Sequence, residues 1–427
     1  MGVKVKRQAV VIIHGIGEQR PMSTLKRFVR SLLYKLPRQV PYYSKPDTLS
    51  QSFELRRLQV ATRPSTDFYE YYWAHLASGT QLTHILDWLR ALLIRWPWQT
   101  PRHLRPLWGL SVLALLLIVG AVILYATGEW SWQVTLTVSV GIAIAQFFLL
   151  QWLGDAARYL SPAPTNIDLR HNVRQKGVSL LRALHRSRRY DRIIVVGHSL
   201  GSVIAYDILS RYWIECHQTF ASPKRDKQTA LKRLQLAAMP GPQPSPAWWH
   251  KHQHQAWHEL RDQGLPWLVT DFITLGSPLA HAEVLLARDA QDFDERKRSR
   301  ELPTCPPVLE NDKAFSFPLQ LKDAKGQPVT LRTPHHAALF CCTRWTNLYF
   351  PAYGGLFGDI VGGPIAPLFG SAVWDKPVSI RSKLTRLTIA AHTRYWSMES
   401  PSQSREDALP GALETLYQAL DLLCLHP

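Results

Sequence analysis

Arg192-Ile193-Ile194-Val195-Val196-Gly197-His198-Ser199-Leu200-Gly201 carries a β-branched run straight into Gly-His-Ser-Leu-Gly, and Ser202-Val203-Ile204-Ala205-Tyr206-Asp207-Ile208-Leu209 follows at once with a helix-forming run. β-Branched side chains suit the pleated, buried surface of a strand. A G-x-S-x-G set between strand and helix makes a sharp turn that strains its serine and lifts Oγ clear of the sheet. Glycine is required on both sides because a Cβ there would meet the neighbouring strand or helix. The bland alternative, a small-residue turn with an inert serine, needs neither the strand before it nor the helix after it. Ser199 is therefore the candidate nucleophile.

Outward from the elbow, elements alternate. Residues 8–13 read as a buried strand, 21–36 as a helix with apolar residues at helical spacing, and 53–61 and 68–73 as short strands. A helix is predicted over 168–187, and the elbow helix runs to about Trp213. Strands follow at 267–275, 337–350 and 386–391, with a closing helix over 411–425. This order predicts an α/β fold, a mainly parallel sheet with helices on both faces. Residues 1–90 and 161–427 supply it, with cap-like insertions at about 216–266 and 288–338. The first insertion carries Trp248-Trp249-His250-Lys251-His252-Gln253-His254-Gln255-Ala256-Trp257-His258 and reads as an aromatic, basic flap over the pocket. Its histidines suggest a metal, but no Cys or Asp cluster completes such a site.

The chain has 427 residues, 46% of them hydrophobic, enough for a large core. Its formal net charge of +18 suits an anionic partner. No nucleic-acid motif stands out and the basic residues are scattered, so a membrane surface is favoured and nucleic acid is not. Cys216, Cys305, Cys341, Cys342 and Cys424 are odd in number and form no C-x-x-C pair. A disulfide framework and a zinc site are both disfavoured, and a reducing compartment fits. The apolar run Ala9–Ile13 is too short for a signal-peptide core, and Lys6 breaks the myristoylation pattern.

Between Pro106 and Gly154 the only charged residue is Glu129. Residues 91–160 read as a transmembrane hairpin with spans at about 107–127 and 132–153, each long enough to cross a hydrocarbon core. Trp108, Tyr125, Trp130, Trp132 and Trp152 lie near the span ends, where interfacial aromatics belong. Arg95, Arg102 and Arg105 precede the first span; Arg158, Arg170, Arg174 and Lys176 follow the second; the turn between them has no Lys or Arg. Positive-inside logic puts the rest of the chain on the cytoplasmic side, at the inner or plasma membrane if the source is bacterial.

A serine hydroxyl needs a base, an orienting acid and oxyanion donors. In a nucleophile-elbow sheet these follow in the order Ser, acid, His. His392, after the predicted strand 386–391, is the candidate base. The loop after Trp345–Phe350 holds Asp359, the candidate acid, with Asp375 the other carboxylate before His392. Asp207 and Asp271 read as structural. The donors expected are the Leu200 amide and one from His14-Gly15-Ile16-Gly17, at Ile16 or alternatively Gly17. A phosphate-loop reading of that stretch fails because Arg20 stands where G-x-G-x-x-G needs its last glycine.

Val11-Ile12-Ile13-His14-Gly15-Ile16-Gly17, the Gly197–Gly201 elbow, Gly276-Ser277-Pro278 and His392 together resemble the α/β-hydrolase superfamily in its lipase and esterase-like part. The resemblance covers residues 8–77 and 165–427 in outline. It implies Ser199, Asp359 and His392 as a catalytic triad, Ile16 and Leu200 as oxyanion donors, and no metal or organic cofactor. The expected activity is that of a membrane-anchored serine hydrolase cleaving lipid or acylated esters. A protein or acyl thioesterase and an inactive membrane scaffold are the alternatives.

Overall fold

The computed structural model describes residues 5–15, 20–35, 40–49, 56–77, 105–142, 164–221, 223–224, 228–310, 314–352, 358–359, 361–379, 389–397 and 410–424. The strands are β1 (Arg7–Ile13), β2 (Tyr42–Pro46), β3 (Arg56–Val60), β4 (Ser65–Tyr71), β5 (Arg192–His198), β6 (Val269–Leu275), β7 (Ser316–Lys322), β8 (Pro328–Pro334), β9 (Arg344–Tyr349) and β10 (Trp374–Pro377). Eight of them form one sheet in the order β10-β9-β6-β5-β1-β4-β3-β2. From β10 to β4 all neighbours are parallel, and β3 and β2 join antiparallel. β7 and β8 make a separate two-stranded ribbon within the second predicted insertion.

The main helices are α1 (Ser23–Tyr34), α2 (Arg105–Ala126), α3 (Pro164–Arg186), α4 (Leu200–Cys216), α5 (Thr229–Ala237), α6 (Pro246–Asp262), α7 (Ala290–Arg298) and α8 (Ala412–Leu420). Side chains of a strand alternate faces, and here both faces are covered. In β1, Ala9, Val11 and Ile13 join one core with α3, α4 and α6, while Val10 and Ile12 join another with α1 and α8. β5 divides the same way, Ile193 and Val195 against Ile194 and Val196. Two-sided burial is why these strands read as unbroken apolar runs.

The amino ends of the strands are closed by buried ion pairs. Asp67 takes Arg7 at 2.7 Å, Arg57 at 2.6 Å and the Tyr190 hydroxyl at 2.6 Å. Asp271 takes Arg192 at 2.8 Å and Arg344 at 2.7 Å. Between α3 and α4, Asp207 pairs with Arg174 at 2.6 Å, both partly exposed. Asp271 and Asp207 are thus structural, as expected. All five cysteines are free.

Three expectations are corrected. The tryptophan and histidine run is no flap: it is α6, with Trp249 and Trp257 in the core and the Trp257 indole donating to Trp267 O at 3.1 Å. Its apolar positions recur at helical spacing, so they mark a buried helix face. Cys341 and Cys342 lie at a buried 3-10 turn rather than in a strand. Of the predicted strand 386–391, residues 389–391 lie in a 3-10 turn, Ile389–Thr393, and the others lie outside the described residues; among the described residues β10 is the edge strand on that side.

Among the described residues no helix is long and apolar enough to cross a membrane. The side chains of α2 are described without a break from Val112 to Ala126. Of the second expected span, residues 132–142 are helical and the remainder lies outside the described residues. The turn between the two helices is pinned by Trp130 N–H to Leu124 O at 3.1 Å.

Candidate active site

The elbow forms where β5 meets α4. Ser199 has φ 53° and ψ −132°, a left-handed φ that a serine adopts only under constraint, and it is nearly buried. A Cβ at Gly197 would collide with Ser202 Cα, and one at Gly201 with the carbonyls of Ile13 and His14. The chain can therefore pass between β1 and α4 only with glycine at both places. Ser199 N–H donates to Leu275 O at 2.9 Å, and Ser202 Oγ caps the Ser199 carbonyl at 2.5 Å. Leu200 opens α4, so its amide sits at the positive end of that helix.

The loop after β1 approaches from the other side. A Cβ on Gly15 would lie 2.6 Å from Ser199 Cβ and 3.2 Å from Oγ. Ile16 and Gly17, the expected second oxyanion donors, lie outside the described residues. His14 is structural: its Nδ1–H donates to Gly15 O at 2.7 Å and its ring stacks on Trp73 at 5.6 Å.

Asp359 and His392 meet. The imidazole Nδ1 is 2.9 Å from Asp359 Oδ1 and 3.0 Å from Oδ2, with both side chains buried. Oδ1 also accepts from Val361 N–H at 3.0 Å and Gly362 N–H at 2.9 Å, and Oδ2 from the Tyr395 hydroxyl at 2.6 Å. Burial pushes the Asp359 carboxyl up, but His392, Tyr395 and the Gly362 amide outweigh it and hold the pKa at about 2. Burial and the Asp359 charge keep the Tyr395 phenol protonated, which makes it the donor. An ionised Asp359 fixes the neutral tautomer of His392 with its proton on Nδ1 and its lone pair on Nε2.

Two links bring this pair to the elbow. His198 Nε2–H donates to His392 O at 2.8 Å, and burial, then the neighbouring His392, lowers the His198 pKa to about 3, keeping it neutral. On the other side, Gly276 follows Leu275, the acceptor of Ser199 N–H. Its φ is +55°, and a Cβ there would lie 2.6 Å from the Tyr395 ring, 2.8 Å from Asp359 Oδ2 and 3.0 Å from His392 Nδ1. Gly276 is the gap through which the dyad reaches the sheet.

Asp375, the alternative acid, faces elsewhere. It accepts from Asn347 Nδ2 at 2.7 Å, Ile365 N–H at 3.0 Å and Ala366 N–H at 2.8 Å, bracing the loop that carries Asp359. The roles of Tyr395, His198 and Gly276 escaped the sequence reading. Tyr395 stands three residues after His392 and Gly276 opens the Gly-Ser-Pro turn, but neither shows its partner without the fold. Among the described residues no group of three His, Cys, Asp or Glu side chains could hold a metal.

An imidazole held in one tautomer by a buried carboxylate can receive a proton at Nε2, and the carboxylate stabilises the imidazolium that results. Comparison with family models, with curated proteins and with solved structures finds no match to this chain.

Proposed function

We propose that this chain is a serine hydrolase of the α/β-hydrolase type, anchored to a membrane and acting on lipid or acylated esters. The observation that carries the reading is the buried Asp359–His392 pair tied through His198 to the strained Ser199 elbow. His392 Nε2 takes the Ser199 proton as Oγ attacks the ester carbonyl. The oxyanion receives the Leu200 N–H and an amide of the loop after β1. Collapse expels the alcohol, which takes its proton from His392, and water releases the acyl group by the same steps. Loss of one oxyanion donor costs about 2.7–4 kcal/mol.

The substrate class rests on where the 78–163 stretch leaves the fold. Trp73, just past β4, donates its indole N–H to His14 O at 2.9 Å, beside Gly15 and Ser199. Tyr71 OH donates to Val173 O at 2.5 Å. At 1.5 Å per residue, Pro164 stands roughly 13 Å beyond Val173, past the carboxyl ends of the strands. The insert thus departs and returns on the catalytic edge. Its described part exposes Leu113, Leu116, Val122, Ile123 and Trp132, each 51–61% accessible, an apolar surface that suits lipid. A tether at that edge faces the serine toward the bilayer and raises the local concentration of lipid-borne esters.

The test is fluorophosphonate labelling of membrane fractions holding the full chain. Labelling of wild type and its loss in Ser199→Ala is expected. Equal labelling of the variant, or none of the wild type, overturns the reading, and the second result leaves the inactive scaffold. Faster turnover of acyl-peptide thioesters than of lipid esters would replace the lipase-like substrate class with a deacylase.

A further inference from the structure

At the amino ends of the parallel strands lies a cavity of about 580 Å³. It is lined by Lys6 before β1, Arg63 before β4, Arg192 and Arg344 at the starts of β5 and β9, and His254 and His258 of α6. It is the rim opposite Ser199: the seven residues of β5 separate the two by about 20 Å. We propose that this cavity binds a water-soluble phosphate-bearing small molecule.

The charge balance favours an anion. Four cationic side chains, Lys6, Arg63, Arg192 and Arg344, line it against one lining carboxylate, Asp421; Asp271 behind them pairs with Arg192 and Arg344, and Asp191 accepts from the Lys6 main-chain N–H at 2.8 Å. Arg192 is saturated by Thr270, Asp271, Leu420 O, Asp421 O and Cys424. Arg344 bonds Asp271 through Nε and Nη2 and leaves Nη1 without a hydrogen bond among the described residues. Lys6 and Arg63 are exposed, and neither side chain has a carboxylate partner among the described residues.

The histidines add a donor. Nε2 of His254 lies 3.1 Å from Nε2 of His258, so one ring donates and the other accepts. The accepting ring must then carry its proton on Nδ1, and both Nδ1 atoms are buried without a hydrogen bond. One N–H of the pair is therefore left unsatisfied beside the cavity, and a ring turned toward an oxyanion there would satisfy it. A metal bridging the pair is disfavoured by Arg344 and Arg192, whose charges act on His254, and by the absence of a third ligand among the described residues. The volume suits a small organic phosphate. The distance from the edge where the insert departs selects a soluble ligand over a lipid headgroup.

The test is calorimetric titration of the full chain in detergent with inorganic phosphate and with glycerol 3-phosphate, at constant ionic strength set by chloride. Saturable binding is expected for wild type and equally for Ser199→Ala, which separates this site from the hydrolase reading. The double variant Lys6→Ala/Arg63→Ala, which touches no buried pair, should bind about tenfold more weakly or worse, since each charged hydrogen bond lost is worth about a factor of ten. Undiminished affinity in that variant overturns the proposal. So does capture by phosphatidic acid vesicles with no response to either soluble phosphate.

Discussion

His198 Nε2 and the main-chain carbonyl of His392 are 2.8 Å apart, so the residue before Ser199 is bonded to the residue that carries the imidazole. The bond crosses from the elbow to the 3-10 turn Ile389–Thr393. His198→Ala removes one neutral hydrogen bond, worth about 1 kcal/mol. Its fluorophosphonate labelling rate should fall about fivefold, with KM for a short ester nearly unchanged. An unchanged rate would mean that His392 is held by its other contacts alone.

Tyr395→Phe keeps the ring that packs against Gly276 and Phe350 and removes the hydroxyl on Asp359. The lost bond is charge-assisted, about 1.5–3 kcal/mol. Labelling should slow by about tenfold or more through kcat, and the acidic limb of the pH–rate profile should move. A lower melting temperature with an unaltered profile would assign Tyr395 to the core only.

Asp359 is depressed from its ordinary 3.8 to about 2 in the folded chain. Its contribution is therefore complete above pH ~4 and is lost as pH falls through about 2, amounting to roughly 2 kcal/mol. Thermal melts of wild type between pH 5 and 2, compared with Asp359→Asn, should show this component in the first and not in the second. The variant should also lose about 10⁴ in kcat, because the asparagine amide favours the wrong imidazole tautomer.

Gly201→Ala drives a methyl into the backbone carbonyls of Ile13 and His14. Neither oxygen belongs to a flexible side chain, so the strand or helix must shift, at a cost of about 3 kcal/mol. Chemical denaturation should show that loss. A stability equal to wild type would mean that β1 and α4 are less closely packed than described.

Leu116→Lys with Ile123→Lys places two charges on the exposed face of α2. In the proposed anchoring, a charge costs about 2.5–3.5 kcal/mol at the centre of a span, as at Leu116, and less toward its end, as at Ile123. The chain should leave the membrane pellet while still hydrolysing a water-soluble ester. Retention in the pellet would separate the tether from α2.

Much of the sheet was legible in the sequence because parallel strands buried on both faces leave uninterrupted apolar runs, as in Val10–Ile13 and Ile193–Val196. The elbow was legible because its glycines answer to backbone collisions, which leave no other residue. The meeting of Asp359 and His392 followed from chain order rather than from anything local. Their fastening did not: Tyr395 and His198 act through side chains and carbonyls contributed by distant loops, and no periodicity marks such a pair. The tryptophan and histidine run misled because an interfacial flap and a buried amphipathic helix share a composition, and only the spacing of Trp249, Gln253, Ala256, Trp257 and Leu260 tells them apart.

The bond from Tyr71 to Val173 ties the strand that precedes the 78–163 stretch to the helix that follows it. Exchanged for a short bridge, the 78–163 stretch should leave the eight-stranded scaffold and the Ser199 elbow as they are.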